Sequence, residues 1–151
     1  MVSDLAFERF QGLLASEGVR AAIVYLNSLT PHRFTAMSRL GAESTSSIVF
    51  VDCEQPGEWT TPDSPIRATY CMFVRDTGQP FALADSAFDP RVIDHAKRDE
   101  LHSYCGVPLT GRDGKVFGAL CHYDVRPVPL DAGMVALMER LAPMLEASQG
   151  Q

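Results

Sequence analysis

At about 150 residues per domain, a chain of 151 residues reads as one domain, and 46% apolar with 9% aromatic residues is enough for a sizeable core. Nineteen acidic against 13 basic side chains give a net charge of −6, which excludes the basic stripe of a general nucleic-acid binder and a surface drawn to anionic lipid. No run of about 18 apolar residues exists to span a membrane, and the opening MVSDLAFERF lacks the basic start and apolar run of a secretory signal. A cytoplasmic, reducing location is therefore expected, with Cys53, Cys71, Cys105 and Cys121 as thiols, and no C-x-x-C pair supports a closed zinc site.

The first expected element is a helix over 4–16, with Ser3 as its cap and Phe10, Leu13 and Leu14 on one face. Gly18 interrupts it. Ala22, Ile23, Leu26 and Leu29 mark a second helix, ended by Thr30-Pro31 because a residue before proline is pushed out of the α region. Two strands follow, Arg33 to Leu40 and the β-branched run Ser47 to Cys53, separated by a turn at 41–43. Residues 54–65, with three prolines and a glycine, read as a long loop in which Trp59 serves either as a lid or as an anchor.

Residues 68–76 are apolar and aromatic, and periodicity does not separate helix from strand there. Phe81 to Ala84 reads as a short strand, and Pro90 as the first residue of a helix over 90–97 capped by Asp89. Leu101 to Leu109 and Val116 to Asp124 form a hairpin around the glycines of 110–115. A last helix over 130–146 carries the stripe Met134, Leu137, Met138, Leu141, Leu145, with Pro143 expected to kink it or end it early. Antiparallel strands between terminal helices make an α+β fold. Helices on one sheet face and the irregular middle on the other leave the second face as the place for a pocket.

The ensemble from 69 to 124 resembles the GAF domain, a sensory fold related to PAS. It rests on Tyr70-Cys71, on Asp85 followed by Asp89-Pro90-Arg91, and on the strand Tyr104-Cys105-Gly106-Val107-Pro108-Leu109. The turn Asp113-Gly114 then leads to Gly118-Ala119-Leu120-Cys121, with Asp124 and Arg126-Pro127 after it. The resemblance implies a single domain over 1–151 with a six-stranded antiparallel sheet. Terminal helices would lie on one face, often pairing in dimers, and loops with short helices would cover a ligand pocket on the other. It also implies a small-molecule sensor in signal transduction, here expected to stand alone, and it names no cofactor.

The candidate ligand-binding residues are Tyr70, Cys71, Asp85, Arg91, Tyr104, Cys105 and Cys121. Each has a plainer reading: a core Cys beside a core Tyr, an Asp that only caps, thiols packed on a sheet. If Thr110 pairs with Lys115, Tyr104 lies opposite Cys121 and Cys105 shares a face with Leu120 and His122. A one-residue bulge would instead set Cys105 opposite Cys121, since each single slip exchanges the faces. His95, His102 and His122 are possible metal or haem ligands, or hydrogen-bonded filler.

Three relatives of the fold are tested by their residues. GAF-type free methionine sulfoxide reductases use a cysteine in the segment matching 86–100, which contains none here. Cyclic-nucleotide-binding GAF domains carry an asparagine signature, whereas the single Asn is Asn27 in a helix. Bilin-binding GAF domains place a Cys-His pair on a helix, whereas Cys121-His122 falls in an expected strand. The reading is a non-catalytic sensor in which ligand enters under 54–75 and shifts the loop equilibrium, and the terminal helices pass the change to a partner protein. A homodimer through the Met134/Leu137/Met138/Leu141 stripe with the first helix is expected. The rivals are a thiol redox enzyme using Cys71 with Cys105 or Cys121, and an interaction module whose pocket is filled by its own aromatic rings.

Overall fold

Alternation along the strands sets the layers. In the computed structural model, which describes residues 2–151, the elements in order are α1 (Val2–Glu17), α2 (Val19–Ser28), β1 (Phe34–Leu40), β2 (Ser44–Asp52), β3 (Ser64–Pro65), α3 (Cys71–Thr77), β4 (Phe81–Leu83), β5 (Ser103–Thr110), β6 (Val116–Asp124) and α4 (Ala132–Ser148). The six strands form one antiparallel sheet in the order β3-β2-β1-β6-β5-β4. Met37, Val49, Val51, Cys105, Val107 and Leu120 point to the face covered by α1, α2 and α4. Ala36, Phe50, Tyr104, Ala119 and Cys121 point the other way, onto α3 and the irregular segments. Side chains alternating every residue give each face its own core.

Several boundaries differ from those expected. The chain is already helical at Val2, so Ser3 lies within α1 and caps nothing. Gly18, at φ 99°, makes the break between α1 and α2 in a backbone region that L side chains rarely adopt. The ambiguous stretch 68–76 is a single turn of 3-10 helix followed by α3, closed by Gly78. The helix expected over 90–97 is absent: Pro90–Val92 is one 3-10 turn, and Asp89 does accept from the Arg91 N–H at its start. Val92 is buried but Ile93 is exposed and charged residues follow, so no apolar stripe exists to hold further turns.

Pro143 does not end α4, which runs on to Ser148. It sits on the solvent side, where water can hydrate the carbonyl that its missing N–H leaves free. Asp131 caps the helix by accepting from Met134 N–H at 3.1 Å.

The β5–β6 register settles the thiol geometry. Gly106 faces Cys121, Cys105 faces His122 and Tyr104 faces Tyr123, with an irregularity next to Thr110, which pairs with Val116. The arrangement with Cys105 opposite Cys121 is therefore wrong. Relative to the other alternative the pairing is displaced by two residues, which preserves parity. Tyr104 and Cys121 thus share a face, and Cys105 lies on the opposite one with Leu120 and His122.

Candidate functional site

A cavity of about 150 Å³ lies between the sheet and the segment from Thr61 to Cys71. Ser38 of β1 and Thr45 and Ser47 of β2 line one side, and Thr61, Ser64 and Thr69 line the roof. Tyr70, Cys71, Tyr104, Cys121, Tyr123 and Lys97 close the rest with Leu101. Hydroxyl, thiol and phenol groups thus dominate the polar lining, with one ammonium at its edge.

Tyr70 is held rigidly. Its hydroxyl donates to the Leu101 carbonyl at 2.7 Å, and its ring packs on His95 at 4.5 Å and edge-on to Tyr104 at 5.9 Å. Burial raises its pKa, so it remains a neutral donor. His95 staples the roof: its Nε2 bonds the Thr69 carbonyl at 3.0 Å, and its Nδ1 accepts from Lys97 N–H at the same distance. These partners require the Nε2–H tautomer of a neutral ring.

The chemically distinctive group is Cys71, Tyr104 and Cys121. The Tyr104 hydroxyl donates to Cys71 Sγ at 3.2 Å. Its ring lies over Gly106, where a Cβ would overlap the phenol oxygen, and Gly106 faces Cys121 across the β5–β6 pair. Absence of a side chain at Gly106 therefore lets the phenol reach both thiols. Cys121 and Tyr104 donate towards the Cys71 sulfur and hold its thiol below the ordinary range against the opposing effect of burial. Donation to Cys71 and burial push Cys121 well up. Of the two, Cys71 is the one that ionises first.

The other expected site residues lie elsewhere. Cys105 is on the helix face, where burial pushes its thiol up to about 12. Asp85 caps the 3-10 turn at Ser86–Phe88 by accepting from Ala87 N–H at 3.0 Å. Arg91 pairs with Asp89 at 2.6 Å, donates to the Ala82 carbonyl and stacks on Phe81. Neither Asp85 nor Arg91 lines the cavity. Trp59 is an anchor, not a lid: its ring lies under the Arg20 guanidinium of α2 at 4.3 Å.

Sequence reasoning missed Lys97, Thr45, Thr61 and Thr69, and it offered His95 as a metal or haem ligand, not as the staple of the roof. Thr45 precedes the expected start of its strand, and the others sit in segments whose course no periodicity fixes.

The family model for the GAF domain matches residues 8–148. The chain belongs to the GAF domain family. Solved structures agree on the fold. The GAF domain of an Acinetobacter phosphoenolpyruvate-protein phosphotransferase superposes with a TM-score of 0.76 at 12% identity, covering 99% of this chain and 94% of that one. The free methionine-R-sulfoxide reductase of Neisseria meningitidis, solved with its substrate, gives 0.76 at 16% identity, covering 97% and 87%. The chromophore-binding domain of Stigmatella aurantiaca bacteriophytochrome gives 0.75 at 11% identity, covering 99% and 60%. No curated protein matches.

At these identities the likeness carries the GAF fold alone, a generic sensory and ligand-binding scaffold. Cys121-His122 lies within β6 and His122 faces the helices, so the pair stands in a strand as the sequence indicated. No helix of the described residues is long and apolar enough to cross a membrane.

Proposed function

We propose that this GAF domain is a small-molecule-binding sensor whose ligand occupies the cavity beneath residues 61–71. The observation that carries the reading is a polar void left on a face otherwise packed with rings: Phe34, Phe50, Phe73 and Phe81 fill the surroundings, while hydroxyls, two thiols and a phenol line the space that remains. About 150 Å³ suits a small polar molecule and is too little for a tetrapyrrole in this conformation. Thr61, Ser64 and Thr69 belong to the roof, and Ser47, Tyr104 and Cys121 to the sheet. A ligand bonded to both binds the closed roof better than an open one, which is the differential affinity that a signal requires. A signalling partner would read the roof or the helices that flank the sheet.

Native mass spectrometry of freshly purified protein tests this. One small polar adduct per chain is expected, lost in Ser47→Phe, which fills the void from β2. A bare chain that also shows no thermal shift with a panel of small polar metabolites would favour a self-filled interaction module.

A thiol redox enzyme stands as a second reading because Cys71, Tyr104 and Cys121 converge on the same cavity. It expects Cys71 to react with iodoacetamide at neutral pH faster than Cys105, and Tyr104→Phe to slow that reaction by removing a donor to its sulfur. Equal, slow alkylation of both would leave the binding reading alone.

A further inference from the structure

The helix layer leaves part of the sheet uncovered. Between the Thr30–His32 connection, the β4–β5 edge and the first turns of α4 lies a groove of about 830 Å³, bounded by the sheet edge and the helix layer. Its walls are apolar: Leu83, Val128, Met134 and Val135. That volume is within the range of drug-sized ligand pockets, about 300–1,000 Å³.

One buried polar side chain borders this groove with a ring nitrogen to spare. His32 is only 6% exposed. Its Nδ1 is paired with Thr30 Oγ1 at 2.7 Å, and its ring stacks on His122 with centroids 5.7 Å apart and planes within 11°. Among the described residues Nε2 has no protein partner. Nε2 is not closed off from solvent, so it stands open to a polar group of a molecule lying in the groove. Burial lowers the His32 pKa despite the nearby Asp124, so the ring presents itself uncharged.

The groove also has a sign. Asp131 and Glu139 stand along it, and no lysine or arginine lines it. One Asp131 oxygen accepts from Met134 N–H. The Glu139 carboxylate makes no ion pair among the described residues.

From these observations we infer a second ligand site between the sheet edge and the helix layer, taking an apolar amine. The hydrophobic body lies against Leu83, Val128, Met134 and Val135, a polar group bonds His32 Nε2, and the ammonium faces Asp131 and Glu139. The site shares Tyr104 with the ligand cavity beneath 61–71 and is otherwise lined by its own residues, and it touches both the α2–β1 connection and α4.

Dansylcadaverine, a naphthalene sulfonamide with a primary amine on a flexible tail, is the test probe, and anilinonaphthalene sulfonate is its anionic counterpart. Blue-shifted, saturable dansyl fluorescence with one probe per chain is expected, and weaker binding of the sulfonate. Leu130→Lys, at an exposed rim position, and Glu139→Gln should each weaken the amine about two- to fivefold, the range of an exposed charge pair. Val135→Trp should abolish binding, and circular dichroism would show that its fold is retained. Ser47→Phe in that cavity should leave probe affinity unchanged, so failure here and failure of the cavity reading are separable. Tighter binding of the sulfonate than of the amine would overturn the proposal. So would absence of binding with the chain dimeric in light scattering and monomeric in Leu130→Lys, which would assign the groove to a second copy.

Discussion

Acidification from pH 7 to pH 4.5 is expected to remove about 2–3 kcal/mol of stability through His122 alone. Its side chain is fully buried on the helix face, Nδ1 is paired with Thr35 Oγ1 at 2.7 Å, and Nε2 has no partner. Burial, with the neighbouring His32 adding to it, pushes its pKa down to about 3 from an ordinary 6.5. A histidine with a depressed folded pKa stays neutral in the native state while the unfolded chain takes up a proton. Its contribution is therefore complete above pH 6.5 and falls by about 1.4 kcal/mol per unit until the pH approaches 3.

The groups around His122 act in the same window or outside it. His32, also lowered, adds to the loss. Cys105 opposite it in β5 is held up by burial and stays a thiol, with Asp131 beyond it. Asp52, lowered by its bidentate pairing with Arg33 at 2.8 and 2.9 Å, gives up stability only below its usual range near 4. Thermal midpoints should fall by on the order of 6–10 °C between pH 6.5 and 4.5. His122→Asn, which keeps a polar atom near Thr35, should be less stable at pH 7 and flatter across that range. A wild-type midpoint independent of pH there would contradict the burial argument.

The parts of the fold legible in the sequence were those written as periodicity. Hydrophobic spacing located α1, α2 and α4, and the β-branched and apolar runs located β1, β2, β5 and β6, because each buries one defined face. The family resemblance added what spacing could not, a pocket beside Tyr70-Cys71, but it grouped Asp85, Arg91 and Cys105 with Tyr104 and Cys121 as candidates for it. Three things stayed hidden. The β5–β6 register depended on an irregularity next to Thr110, which sequence does not mark, and with it the separation of Cys105 from Cys121. The segment 86–100 has no repeating apolar positions, so its 3-10 turns and the inward placement of Lys97 and His95 come from tertiary contacts such as His95 with Thr69. Asp85 and Arg91 looked functional because charged residues around Pro90 suggested a helix N-terminus, whereas each is used locally, by a turn and by Asp89.

Replacing Leu141 by alanine decides what the α4 stripe is for, and it is the substitution with the largest expected cost. Met138, Leu141 and Leu145 are fully buried and Met134 and Leu137 nearly so, within the core that also holds Phe10, Ile23 and Leu26. The stripe covers this chain's own sheet, the plainer of the two roles it could have. The larger apolar side chains that the helices still show to solvent are Leu5, Val24 and Leu29. Leu141→Ala should therefore destabilise the monomeric fold by about 2–5 kcal/mol, the range for a cavity in a packed core. The loss should be the same at every protein concentration. A dimer held by the stripe would behave differently: its melting point would rise with concentration, and the variant would erase that dependence by mass action. Urea unfolding at two concentrations a hundredfold apart separates the cases, and a variant within about 0.5 kcal/mol of the parent would show that Leu141 is not part of the core.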